Sequence, residues 1–264
     1  MTSDKLQIGI IGCGWFGLPL GSFLTNAGTQ IIGTTTQQQK LSLLKDKGID
    51  AFQYRIGLDP LPAAFKACDL VVVNIPPRRQ KREAMDYLEA IHQLKDDLLK
   101  AEINQVIFIS TTGVYNDSPT AVTENDLPDQ PENHFHEAEL IFKKHFSKVN
   151  ILRFAGLFGG DRKAGRFLAG KENLEDKVIN MLHLDDAIGF TQRLIHQPQP
   201  NEDFNVCCPE HPLRSEFYTQ AAKKNGLKPP TFASMADRQK MISPQKGITQ
   251  LGYTYIYKNP LEAL

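Results

Sequence analysis

The chain has 264 residues, 30 basic and 30 acidic side chains, and 41% hydrophobic content. That length supports a large α/β domain with or without a smaller lobe. Balanced charge argues against a dedicated nucleic-acid binder, and no apolar stretch reaches the roughly 20 residues that span a bilayer.

Residues 6–11, Leu-Gln-Ile-Gly-Ile-Ile, read as a short buried strand. They lead into Gly12-Cys13-Gly14-Trp15-Phe16-Gly17 and an apolar stretch of helical length, Leu18 to Ala27, with Gly28 as its stop. Residues 30–33 form a second strand, so the first thirty-odd residues are a βαβ unit. The pattern Gly12-x-Gly14-x-x-Gly17 falls where a dinucleotide fingerprint requires it. The first glycine permits the tight turn, the second lets the backbone approach a pyrophosphate, and the third allows close helix-on-strand packing. Phosphates would meet the helix N-terminus, with Trp15 and Phe16 in the loop. NAD sites place an acid about 20 residues on. Here Thr34, Thr35 and Thr36 take that place, with Lys40 nearby. Hydroxyls and a lysine suit a 2′-phosphate, so the expected cofactor is NADP or NAD, with NADP modestly favoured. The threonines equally suit the start of the next helix.

Further elements alternate. Residues 38–47 and 61–67 read as helices, and 69–74 as an apolar strand. Asn74-Ile75-Pro76-Pro77 lies at the end of that strand, where a parallel sheet binds its ligands. The dense basic cluster Arg78, Arg79, Lys81 and Arg82 follows, suited to a phosphate or to a solvated helix start. A helix at about 80–100 carries Met85, Leu88, Ile91, Leu94 and Leu98 on one face. Residues 106–109 form a strand and Ser110–Tyr115 follow it. A helix covers about 132–146 and a strand 149–154. Beyond Gly156 the pattern is less regular. The expected fold is α/β, a Rossmann-like doubly wound parallel sheet with a small C-terminal substrate lobe. The dinucleotide-binding domain is expected over 1–155. The reduced lobe, over 156–264, is interleaved with the end of the sheet. Four cysteines (Cys13, Cys68, Cys207, Cys208) form neither a metal nor a disulfide pattern, and nothing in the first residues reads as a signal peptide. A reduced, cytoplasmic protein without metal, membrane or nucleic-acid partners is expected.

Ser110-Thr-Thr-Gly-Val-Tyr115 resembles the end of the fifth strand in extended short-chain dehydrogenases/reductases, the NAD-dependent epimerase/dehydratase family of nucleotide sugars. Leu152-Arg-Phe-Ala-Gly-Leu-Phe-Gly-Gly-Asp-Arg162 resembles the family's Arg-x-x-x-(Ile/Val)-Tyr-Gly-Pro-Gly-Arg stretch. Asn180–Asp186 resembles its His-Val-Asp-Asp segment, and Phe204-Asn205-Val206 its Tyr-Asn-Val strand. The likeness covers nearly the whole chain. It implies a catalytic hydroxyl at Thr111, four residues before Tyr115, and a dimer through the 80–100 and 132–146 helices. Two features depart from the family. The glycine spacing is that of dehydrogenases, and no tyrosine is followed four residues later by lysine. Aligning Ala138-Glu139 puts Pro131 and Phe135 at those two catalytic places.

Replacement groups are His134, beside the lysine-equivalent place, with His136 near it, and Tyr115 as a proton donor. Each also reads as a plain helix or packing residue. Arg153, Asp161, Arg162 and Arg166 bracket the segment that closes over substrate in the resembled family. Arg162 and His183 are the expected substrate contacts, whereas Asp185 and Asp186 are expected to cap a helix. Three functions compete. The first is an oxidoreductase or epimerase acting on a phosphorylated or nucleotide-linked small molecule. The second is a non-catalytic NADP(H) sensor, favoured by the missing Tyr–Lys pair. The third, a hydroxyacid-type dehydrogenase, needs an all-helical C-terminal domain, and the strands at 149–154 and 204–207 argue against that.

Overall fold

Continuous apolar runs build the centre of the molecule. The structure is a computed structural model describing residues 6–75, 83–127, 133–237 and 239–264, with only the backbone of 83–86. In chain order, β1 (Gln7–Ile11), α1 (Gly17–Asn26), β2 (Gln30–Thr35), α2 (Leu41–Asp46), β3 (Asp50–Gln53), β4 (Leu70–Val73), α3 (Glu83–Lys100) and β5 (Gln105–Thr111) come first. Then follow β6 (Ala121–Val122), α4 (His134–His145), β7 (Lys148–Phe154), β8 (Gly156–Phe158), β9 (Leu174–Asp176), β10 (Met181–His183) and α5 (Leu184–His196). The chain closes with β11 (Asp203–Val206), α6 (Arg214–Lys224), β12 (Phe232–Met235), β13 (Met241–Ile242) and α7 (Gln245–Gln250). The expected elements do not include β3, a four-residue edge strand. The segment 61–67 is a 3-10 turn at Ala63–Ala67 rather than an α-helix.

Seven strands form one sheet in the order β11-β7-β5-β4-β1-β2-β3. β1 pairs in parallel with β2 and β4, β2 with β3, and β4 with β5. This is the Rossmann-like α/β architecture. Its order reverses between β1 and β4, the place where such sheets take their ligands. β4 is buried at all four positions, as a strand covered on both faces must be.

The chain divides into two compact units. Met1–Ser110, Pro128–Leu152 and Gln199–Asp203 form the first; Thr111–Leu127, Arg153–Pro198 and Phe204–Leu264 form the second. In the first unit, α3 buries Tyr87, Ile91, Leu94 and Leu98 against Val106, Phe108, Ile141 and Phe142. Phe142 stacks on Phe108 at 4.6 Å between centroids. α1 ends as its sequence predicts. Gly28 has φ +91° and donates to the Thr25 carbonyl, a turn that a side chain would strain. No helix among the described residues is long and apolar enough to cross a membrane.

The second unit depends on a buried carboxylate. Asp186, expected to cap a helix, is fully buried and accepts from the Ile256 and Tyr257 N–H groups and the Tyr253 hydroxyl. Burial pushes its carboxyl above the usual range, while those hydrogen bonds oppose the shift. The cap of α5 is instead His183, whose Nδ1 accepts from Asp185 N–H at 3.2 Å. Asp185 stays exposed. Asp186→Ala strands one buried and two part-buried donors and should cost about 3 kcal/mol in chemical denaturation. Asp185→Ala should cost under about 1 kcal/mol. Equal costs would refute the anchor.

Candidate functional site

The glycine loop joins the carboxyl ends of β1 and β4 in the first unit. Gly12 has φ +95°, and a Cβ there would lie 2.3 Å from the Asn74 carbonyl oxygen. A Cβ on Gly17 would lie 2.3 Å from the Gly12 carbonyl. Both glycines are required by neighbouring backbone. Gly14 differs: it is exposed, and a Cβ on it would meet nothing within 4 Å. The open side of the loop is therefore at Gly14, where a ligand backbone-on approach is possible. Asn74 Nδ2 donates to the Gly12 carbonyl at 3.1 Å and so ties β4 to the loop. Trp15 and Ile75 are half-buried and Phe16 is buried. Pro76, the basic cluster at 78–82 and Pro131 lie outside the described residues.

At the end of β2, the three threonines separate in role. Thr34 Oγ1 accepts from Gly12 N–H at 3.1 Å and supports the loop from behind. Thr35 Oγ1 accepts from Gln37 N–H, and both threonines are buried. Of the three threonines only Thr36 is exposed, as is Lys40. None of the three caps a helix, since the following 3-10 turn is entered through Gln37. Cys13 packs against Gly33, and burial pushes its thiol up to about 12, so it is inert at neutral pH.

Around the end of β5, the first unit holds Ser110, whose hydroxyl donates to the fully buried Glu139 at 2.5 Å. His134 opens α4 and meets Tyr87 edge-on at 5.9 Å, and Phe135 meets the same ring at 6.4 Å. Asn133 caps that helix, accepting from the Phe135 and His136 N–H groups. His136 is buried.

In the second unit, Thr111 Oγ1 accepts from Gly113 N–H at 3.1 Å, which leaves its own proton to donate. Tyr115, read from sequence as a proton donor, is buried. Its hydroxyl donates to Asn205 Oδ1 at 2.8 Å and accepts from Arg153 Nη1 at 2.7 Å. Burial raises its pKa further, with Arg153 opposing. It is a structural hydroxyl. Arg153, placed by sequence among groups bracketing the substrate, is only 1% exposed and also stacks on the Tyr115 ring. Nothing in the sequence marks that buried Arg–Tyr–Asn link, because its members are 38 and 90 residues from Tyr115.

Arg162 is exposed beside a bridge to Gly159, and Asp161 and Arg166 are exposed as well. His183, expected at the substrate, lies buried between the Phe158 and Tyr257 rings as the cap of α5. Among the described residues no group of three or more His, Cys, Asp or Glu is arranged to hold a metal ion.

A glycine loop at the reversal of a seven-stranded parallel sheet defines the class, Rossmann-like α/β proteins, and no tyrosine in the sequence is followed four residues later by lysine. The chain is 35% identical over 269 residues to Protein YeeZ of Escherichia coli (strain K12), with 97% of each covered, and it belongs to that protein's family. No model of a known family matches it. Among solved structures it resembles a functionally unknown conserved protein from Silicibacter pomeroyi (TM-score 0.78, 20% identity, covering 98% of this chain and 96% of that one). It also resembles UDP-glucuronic acid 4-epimerase from Bacillus cereus in complex with NAD (TM-score 0.76, 18% identity, covering 98% and 97%). At such identities the likeness is one of fold.

The loop geometry separates packing from binding. Gly12→Ala and Gly17→Ala should each cost about 2–4 kcal/mol in denaturant unfolding, because backbone must move. Gly14→Ala should stay within about 0.5 kcal/mol of the parent. A large loss at Gly14 would show that it too is held by packing.

Proposed function

We propose that the chain binds NADP or NAD in the glycine loop and acts as an oxidoreductase or epimerase-type enzyme on a phosphorylated or nucleotide-linked small molecule. The observation that carries this reading is the contrast at the loop: Gly12 and Gly17 are closed by backbone while Gly14 opens outward. Gly12, Gly14, Trp15, Phe16 and Gly17 would hold the pyrophosphate, and Asn74 and Ile75 would line the cofactor from β4. The helix N-terminus favours the phosphate charge. β2 ends without an acid, and Thr36 and Lys40 remain exposed there, which favours NADP over NAD. A solved relative in fold is a UDP-glucuronic acid 4-epimerase holding NAD, which supports a nucleotide-linked sugar as substrate class.

When bound, the dinucleotide supplies a nicotinamide that takes or returns a hydride. Thr111 supplies a hydrogen bond to the substrate oxygen. His134 is the titratable group nearest the vacated lysine place and the candidate for proton transfer. The second reading is a dinucleotide-binding sensor. Phe135 favours it, since an apolar ring stands where the family holds ribose by charge.

NADPH should bind at micromolar concentration, read by fluorescence quenching or thermal shift, and Gly14→Asp should abolish this binding. Absence of a shift at millimolar NADPH and NADH would refute the loop as a cofactor site. Reduction of bound NADP+ by a panel of UDP-sugars, or oxidation of bound NADPH by their 4-keto forms, would exclude the sensor. Thr111→Val should then lower kcat about 100-fold, and an unchanged rate would remove Thr111 from the site.

A further inference from the structure

The lysine that this family draws from the helix after the fifth strand has no counterpart on α4, where Phe135 occupies its place. A different lysine reaches the turn that follows β5. Lys240 Nζ donates to the Tyr115 carbonyl at 2.7 Å and to the Thr112 carbonyl at 3.2 Å. Those carbonyls bound the short turn whose first amide, from Gly113, is capped by the Thr111 hydroxyl.

The segment that delivers this ammonium is fixed at several points. β13 pairs in parallel with β6, and Ser118 N–H donates to the Gln239 carbonyl. Asn180 grips both sides of the segment: its Nδ2 donates to the Lys240 carbonyl and its Oδ1 accepts from Ile242 N–H. Val178 N–H donates to Gln239 Oε1. Lys240 is therefore aimed by its backbone rather than swinging from a loop.

We propose that Lys240 is the positioning cation of this site: through the Thr112 and Tyr115 carbonyls it holds the turn that presents Thr111 and brings a positive charge to that turn. This rests on the enzymatic reading above. An ammonium binds two carbonyls more strongly than a neutral amide does. A half-buried charge costs desolvation that a mere strut need not bear. The charge has a use where negative charge develops on a substrate oxygen held by Thr111. Burial lowers the Lys240 pKa, Lys177 lowers it further and Asp117 raises it. The positive charge is therefore lost at a lower pH than that of an ordinary lysine.

The test uses the full chain with NADP+ and a panel of UDP-sugars, and with NADPH and their 4-keto forms, comparing wild type, Lys240→Gln and Lys240→Arg. Lys240→Gln keeps a donor for the carbonyls and loses the charge. It should lower kcat about 100-fold with KM for the sugar nucleotide, NADPH affinity and melting temperature little changed. Lys240→Arg should recover part of the rate and move the alkaline limb of the pH profile upward, because guanidinium keeps its charge. Wild-type kcat and pH profile in Lys240→Gln would overturn the assignment. If that variant misfolds, the Lys240→Arg profile decides, and an unmoved alkaline limb overturns it. A wild type that binds NADPH but turns over no sugar nucleotide refutes the enzymatic reading and this assignment with it. A competent wild type with an indifferent Lys240→Gln refutes Lys240 alone.

Discussion

The first unit closes on one backbone atom, the carbonyl oxygen of Gly12. It accepts from Asn74 Nδ2 at 3.1 Å and from Gly14 N–H at 2.8 Å. A Cβ on Gly17 would reach within 2.3 Å of it. The ends of β1 and β4 and the start of α1 therefore converge too closely for a side chain at Gly12 or Gly17. β2 joins the same junction, since Thr34 Oγ1 accepts from Gly12 N–H and Cys13 N–H donates to the Thr34 carbonyl. With α1 held this tightly to the strand ends, its positive end is fixed in direction. That is the physical condition for a preformed anion site, since no rearrangement need precede binding.

The second unit has a different kind of closure, built on buried charge. Arg153 is satisfied by the Tyr115 hydroxyl and by the ring face of the same residue. Asn205 completes the link from the other side of that hydroxyl. Glu124 joins through its carboxylate, which accepts from Asn205 N–H, and burial raises its pKa. Removing one member of such a set leaves a buried group without its partner, which costs more than the hydrogen bond itself. Tyr115 is thereby committed to holding the unit together. Asp186 does the same for the C-terminal segment through Tyr253, Ile256 and Tyr257.

The parts legible in the sequence are those set by local rules. The glycine loop, the continuous apolar strand at Leu70–Val73, the amphipathic α3 and the Gly28 stop each follow from a few neighbouring residues. β3 is not legible, because four residues after Gly48 carry no period long enough to distinguish a strand from a loop. The roles of Tyr115, Arg153, His183 and Asp186 are not legible for another reason. Each looks reactive as a residue type, and only its distant partners show that its hydrogen bonds are already committed. His183 illustrates the point. From sequence His183 reads equally as a substrate contact or a satisfied buried histidine, and its Nδ1 accepts the Asp185 N–H of α5 while its ring is enclosed by Phe158 and Tyr257.

The start of α4 shows why the missing lysine cannot simply be regarded as a lost charge. Tyr87, His134 and Phe135 form a local aromatic cluster there, with His134 and Phe135 rings 4.0 Å apart. Phe135 is part of that packing, so a lysine returned to its place would lose ring contacts. His134 and Phe135 are thus part of the packing between α3 and α4. Lys240 occupies a comparable position of constraint in the second unit, half-buried and bound to two carbonyls of the Thr111 turn. That constraint fixes the turn carrying Thr111, at the desolvation cost of a half-buried ammonium.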